Sequence, residues 1–152
     1  MSRRSYARLC FFRPTGINDV KHTGPGQHGP PCPYRAINFT EKLALIHDQW
    51  QQRVVAEMND YQFKVVKIEG DFVWHEHAET DETFIVLAGH LRIDFRDGAV
   101  HLSAGEMFVV PRGKEHKPHA EKEVQMLVIE PRGVRNTGGE ESERTAKNDV
   151  WI

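Results

Sequence analysis

Between Arg53 and Glu130 the hydrophobic residues recur with a period of two, in runs too short and too evenly spaced for anything but an all-β fold. The runs are Arg53–Glu57, Tyr61–Glu69, Phe72–His77, Thr83–Leu87, Leu91–Phe95, Ala99–Leu102, Met107–Val110 and Val124–Glu130. Val, Ile and aromatic residues dominate them, and these residues fit a pleated, half-buried surface. Gly70-Asp71, Ala88-Gly89-His90, Arg96-Asp97-Gly98, Ala104-Gly105 and Pro111-Arg112-Gly113 punctuate them as turns. Many short strands with glycine-bearing turns predict a β-sandwich or barrel. At 152 residues the chain has the length of one domain.

Flanking segments read differently. Arg3, Arg4, Arg8 and Arg13 precede the first acid, Asp19, and Thr23–Pro33 is dense in Gly and Pro. An arginine-rich, acid-poor start has the composition of a mitochondrial presequence. The plainer reading is that residues 1–35 are a disordered or non-native extension of the fold. Asn38-Phe39-Thr40-Glu41 is a capping-box pattern, and Leu43, Ile46 and Trp50 follow at helical spacing, which predicts one amphipathic helix over 40–49. The barrel is expected over 36–132. Residues 133–152 read as a polar tail whose apolar end, Val150-Trp151-Ile152, docks on the barrel or on a partner subunit.

Composition excludes some classes of partner. A net charge of -2 makes neither nucleic acid nor an anionic membrane an expected one. No apolar run approaches the ~20 residues that span a bilayer. Cys10 and Cys32 form no Cys-x-x-Cys pair and no disulfide framework, so a reducing, cytoplasmic setting is expected.

Chemistry is concentrated in the histidines, seven of which lie between His47 and His119. His75 and His77 are two apart in an alternating run, so both imidazoles project to one face. Glu82 follows a short acidic turn, and His116 comes after Pro111-x-Gly113, which can aim it at the same cavity. Three imidazoles and a carboxylate suit one divalent Fe, Mn, Ni, Co or Zn ion. An octahedral ion so held keeps two positions open. Singly, each of these residues passes for a surface or turn residue, and the reading rests on the four together.

Gly70-(x4)-His75-x-His77-(x4)-Glu82-(x6)-Gly89 resembles the first motif of the cupins, and Gly105-(x5)-Pro111-x-Gly113-(x2)-His116 resembles the second. The first is one residue shorter between Gly70 and His75 than the commoner pattern, and Ala120 stands where the second often ends in Asn. The resemblance implies a single conserved jelly-roll barrel (a double-stranded β-helix) with His75, His77, Glu82 and His116 as metal ligands. The single-barrel form is similar to small bacterial cupins grouped as mannose-6-phosphate isomerase-like, a label that follows fold and leaves the reaction open.

Around the four ligands, His119 is the candidate for proton handling, with an exposed loop histidine as the plainer reading. Phe84, Val86, Phe108 and Met126 alternate with outward residues and are expected to line or underlie the cavity. His90 and His101 read as solvent-facing, and Glu106 and Glu115 enter only if they face inward.

Two functional classes follow. One is an enzyme of isomerase, lyase or dioxygenase type, acting on a small oxygen-rich metabolite chelated to the metal. The other is a non-catalytic module that holds a metal or metabolite. A purely structural metal ranks last, because a chain with this many strands has no need of a staple. A homodimer is expected from the exposed barrel edges and the apolar C-terminus.

Overall fold

The computed structural model describes residues 34–152. Its order is α1 (Phe39–Ala44), β1 (Arg53–Met58), β2 (Tyr61–Asp71), β3 (Glu82–Ala88), β4 (His90–Phe95), β5 (Gly98–Ser103), β6 (Met107–Val110) and β7 (His116–Pro131). All strand pairs are antiparallel, and the sheet runs β1-β2-β7-β3-β6, with β4 joining β7 and β5. One edge of β7 pairs with β2. Its other edge pairs with β4 over His116–His119 and with β3 over Gln125–Ile129. A single long strand thereby joins both halves of a jelly-roll barrel, the all-β architecture expected.

Alternation sorts the side chains into two layers. Inside the barrel, Val66, Ile68, Val86, Leu91, Ile93, Val124 and Val128 form a closely packed core with Phe72, Phe84 and Met126. Outside, Val65 and Leu127 are covered by Leu43 and Ile46. Each such aliphatic side chain contributes about 1.5–3 kcal/mol when fully buried.

Four expectations need correction. The helix over 40–49 is one short turn pair, Phe39–Ala44, capped by Asn38, whose side chain accepts from the Glu41 amide at 3.2 Å. It stops because the chain must swing Trp50 onto β2. There the Trp50 amide donates to the Lys67 carbonyl at 2.8 Å, and Trp50 takes a left-handed φ of 66°. Gly70-Asp71 is not a turn; β2 continues through it with a bulge between Ile68 and Gly70, where Gly70 adopts φ +82°. Phe72–His77 forms no continuous strand, and His75 alone bridges to His116. Finally, β7 starts eight residues before Val124, at His116, because polar Lys117, His119 and Glu121–Glu123 hide its alternation.

The N-terminal extension, with Cys10 and Cys32, lies outside the described residues. The C-terminal end pairs with β1: the Val54 amide donates to the Val150 carbonyl at 2.8 Å, and the Ile152 amide to the Val54 carbonyl at 3.2 Å. Ile152 packs on the outer apolar layer.

Candidate metal centre

The site sits where β2 has ended and β3 and β7 begin. After the Gly70 bulge the chain crosses the barrel mouth. The Phe72 amide donates to the Pro118 carbonyl at 2.9 Å, and His75 and His116 exchange backbone hydrogen bonds at 3.1 and 2.9 Å. This pairing brings the two rings side by side, centroids 4.2 Å apart and planes tilted by 49°. Two residues on, the His77 carbonyl accepts from the Gly113 amide at 2.8 Å, which ties the first motif to the Pro111-x-Gly113 turn. Glu82 opens β3 opposite Val110. His75, His77, Glu82 and His116 are all buried, and one ligand atom from each lies within 4.8 Å of the others.

Their protonation pattern is constrained by elementary hydrogen bonding. His75 Nδ1 faces the Val73 carbonyl and His116 Nδ1 faces the Lys114 carbonyl, both at 3.0 Å. A carbonyl only accepts, so each Nδ1 carries the proton and, in the neutral ring, each Nε2 is a bare lone pair. Glu82 Oε2 lies 3.2 Å from both His77 Nε2 and His116 Nε2. The contact to His116 has hydrogen-bond geometry; His77 Nε2 is buried without a hydrogen-bond partner. Lone pairs and a carboxylate converge here with nothing but a proton or a cation to satisfy them.

The electrostatics agree at His75 and Glu82. Burial, with help from neighbouring His116, pushes His75 down to about 4, which favours the neutral ligand form. Burial opposes ionisation of Glu82, but the His116 and His77 rings outweigh it and hold the carboxyl below its usual range. At His77 burial pushes down, and the Glu82 carboxylate more than offsets it, so the ring is raised. The donor set therefore fits a divalent transition ion, and the Nδ1–carbonyl bonds are the outer contacts that orient ligating histidines.

Beside the ligands lies a cavity of about 20 Å³, room for little more than a water. Trp50, Phe72, Phe84, Met126 and Asn136 wall it together with His75 and Glu82. Of the expected lining residues, Phe84 and Met126 are therefore in place. Val86 is buried in the general core, and Phe108 packs against Phe95 at 5.9 Å; neither borders the cavity.

The expectation that His119 handles protons at this site is corrected by strand parity. His116, Pro118 and Ala120 point inward along β7, so His119 points out. Its Nδ1 lies 2.6 Å from Asp71 Oδ1, in an outer groove shared with His90 and His101. Glu106 accepts from the Ser103 amide, and Glu115 binds Arg96, so both are spent on the surface.

Two features escaped the sequence. Trp50 and Asn136 gave no local signal, since they reach the cavity from segments outside the motifs. Lys64 and Glu130 form a second buried cluster at 2.8 Å, with 2% and 0% side-chain exposure. Burial and nearby Glu82 push the Glu130 carboxyl upward, and Lys64 works against both. A signal for this pair existed: both stand at inward positions of alternating strands, where Val66 and Val128 set the expected character.

An antiparallel jelly roll with three imidazoles and one carboxylate gathered at its mouth defines a single-barrel protein with a buried cluster able to bind a metal. Comparison with known proteins gives the same class. The cupin domain family matches residues 63–130. The uncharacterized protein YdbB of Bacillus subtilis (strain 168) is 34% identical over 77 residues, half of this chain and 68% of that protein. A crystal structure of a cupin-2 domain containing protein from Shewanella frigidimarina is 60% identical with a TM-score of 0.63, over 63% of this chain and 94% of that one. A protein of Neisseria meningitidis is 34% identical with a TM-score of 0.59, over 64% and 99%. The chain belongs to the cupin family.

Proposed function

We propose that this cupin holds one divalent transition metal through His75, His77, Glu82 and His116 and uses it to act on a small oxygen-rich metabolite. The observation that carries the reading is the convergence of four buried ligand atoms within 4.8 Å, with His77 Nε2 left without a hydrogen-bond partner. When bound, such a metal supplies Lewis-acid polarisation or, as Fe(II), dioxygen activation, which fits an isomerase, lyase or dioxygenase. The chain's own part is to fix the ring tautomers through Val73 and Lys114 and to exclude water with Trp50, Phe72, Phe84 and Met126. Placement among the mannose-6-phosphate isomerase-like small cupins belongs to the same reading and concerns barrel form, without a substrate.

Metal analysis of protein purified without an affinity tag, joined to a dioxygen-consumption and turnover screen on keto acids and phenols, tests this. We expect about one metal per chain and turnover that disappears with chelation. A native protein without metal overturns the reading. Metal without turnover favours the second reading, a non-catalytic binding module, which the tightness of the cavity supports.

A cytoplasmic homodimer completes the proposal. With Ile152 docked on its own barrel, support for dimerisation moves to edge strand β6, where Met107 and Val109 are exposed. A monomeric mass by light scattering at micromolar concentration overturns it.

A further inference from the structure

The segment after β7, polar throughout, is folded back on the metal centre. Gly133 and Asn148 close its two ends, the Asn148 side-chain Nδ2 donating to the Gly133 carbonyl at 3.1 Å, which makes a compact Ω-type loop. Its interior is organised by Asn136, whose Nδ2 donates to the Arg144 carbonyl and whose Oδ1 accepts from the Ala146 amide, both at 2.8 Å. Thr137 Oγ1 adds bonds to the Glu140 carbonyl and to Thr145. Asn136, Thr137 and Ala146 are buried, which an unattached tail does not achieve.

Three contacts hold this loop over the site. Gly138, at φ +58°, lies so close to the backbone between His75 and His77 that a Cβ there would collide with the Glu76 carbonyl. The Arg144 guanidinium sits 5.0 Å over the Trp50 ring. Trp50 stacks on Phe72 at 4.9 Å, and Phe72 meets the His75 ring edge-on at 5.0 Å, so the loop rests on an aromatic column that ends at a ligand. Third, Asn136 itself walls the 20 Å³ cavity. Along the loop's margin, His77, Glu79, Arg135 and Gly139 border a groove of about 480 Å³, a size suited to a metabolite.

We propose that Gly133–Ala146 is a hinged lid, so that a metabolite waiting in the groove beside His77 reaches the other ligands only when the lid lifts from Glu76 and Trp50. Gly133, at φ +80°, and Asp149, at φ +56°, flank the segment as its hinge points. The inference rests on the metal-centre reading for what the lid guards. The lid itself is a property of the apoprotein.

Metal-free protein separates the two. Diethyl pyrocarbonate acylates accessible imidazoles, and peptide mass spectrometry follows the peptides bearing His75, His77 and His116, with outward His119 as internal standard. Asn136→Ala removes two hydrogen bonds of the clamp, so acylation of the buried histidines should rise roughly tenfold or more against His119. Gly138→Ala, by its collision with Glu76, should do the same. Arg144→Ala, which removes only the guanidinium's contact with the Trp50 ring, gives a smaller rise and remains informative if either other variant fails to fold. Buried histidines acylated at the wild-type rate in the folded variants overturn the lid. A native protein without metal would sink the proposed function and leave this measurement standing.

Discussion

Two polar clusters are buried in one small barrel, and they solve the same problem in opposite ways. Lys64 and Glu130 bring their own counter-charge, with the ammonium 2.8 Å from the carboxylate and a further contact to the Val134 carbonyl at 3.4 Å. His75, His77, Glu82 and His116 bring three imidazoles and one carboxylate, with no lysine or arginine among them and His77 Nε2 left without a hydrogen-bond partner. A buried pair that carries its own counter-charge is balanced without a visitor, even with Glu130 Oε2 left without a hydrogen-bond partner, whereas a carboxylate among three imidazoles has room for a cation. Neighbouring strands position both clusters, since Gln62 and Glu130 pair across β2 and β7 while Thr83 and Ile129 pair across β3 and β7.

The contrast is most easily broken at the self-neutralised cluster. Lys64→Met leaves the Glu130 carboxyl in the core without its counter-charge, whether ionised or forced to take a proton, which should cost about 3–5 kcal/mol in denaturant unfolding. Lys64→Met combined with Glu130→Leu should recover most of that loss. Single and double variants of equal stability would mean that the pair is not the unit described here.

Next in size is the response to metal. Zinc at a hundredfold excess over its dissociation constant should stabilise the wild-type protein by about 2.7 kcal/mol, read as a rise in Tm. Glu82→Gln should abolish most of that rise, and the Lys64/Glu130 double variant should keep it. A Glu82→Gln protein that responds like the wild type would erase the distinction between the clusters.

The smallest effect is a pH slope in metal-free protein. His75 is pushed from its ordinary 6.5 down to about 4. Between those values the unfolded chain takes up a proton that the folded chain refuses, so its stability contribution, full above 6.5, is lost as pH falls toward 4. His77 has the opposite sign: being raised, its contribution is full below 6.5 and fades as pH climbs past its folded value. Unfolding at pH 7, 5.5 and 4.5 should therefore show a decline that His75→Gln flattens. An unchanged slope in that variant would show that the ring is not buried neutral.

The sequence made the barrel legible because half-buried strands write their burial as alternation, and Val66–Ile68, Phe84–Val86 and Leu91–Ile93 do so plainly. The four site residues were legible for a related reason. Their spacings, set by strand parity and by the turns at Gly89 and Gly113, follow from local geometry. What could not be read locally was what tertiary contact decides. Trp50 follows a helical spacing yet leaves the helix to pair with β2. His119 lies three residues from His116, and only knowing that β7 is already extended there shows that it faces away. Asn136 reaches the cavity across a loop whose Gly, Ser and Glu content reads as solvated chain.

Strand β7 runs 16 residues, and across an exposed stretch at Glu121–Glu123 it keeps one inward parity, with His116 at one end and Glu130 near the other. It acts as a ruler that carries residues of the metal-type cluster and of the ion-paired cluster on one face. Losing a single residue between them would turn one cluster toward solvent, whichever end kept its place. Length changes in this family member should therefore collect in the lid and the turns. The stretch of β7 between the two buried clusters should hold its residue count even where its side chains drift.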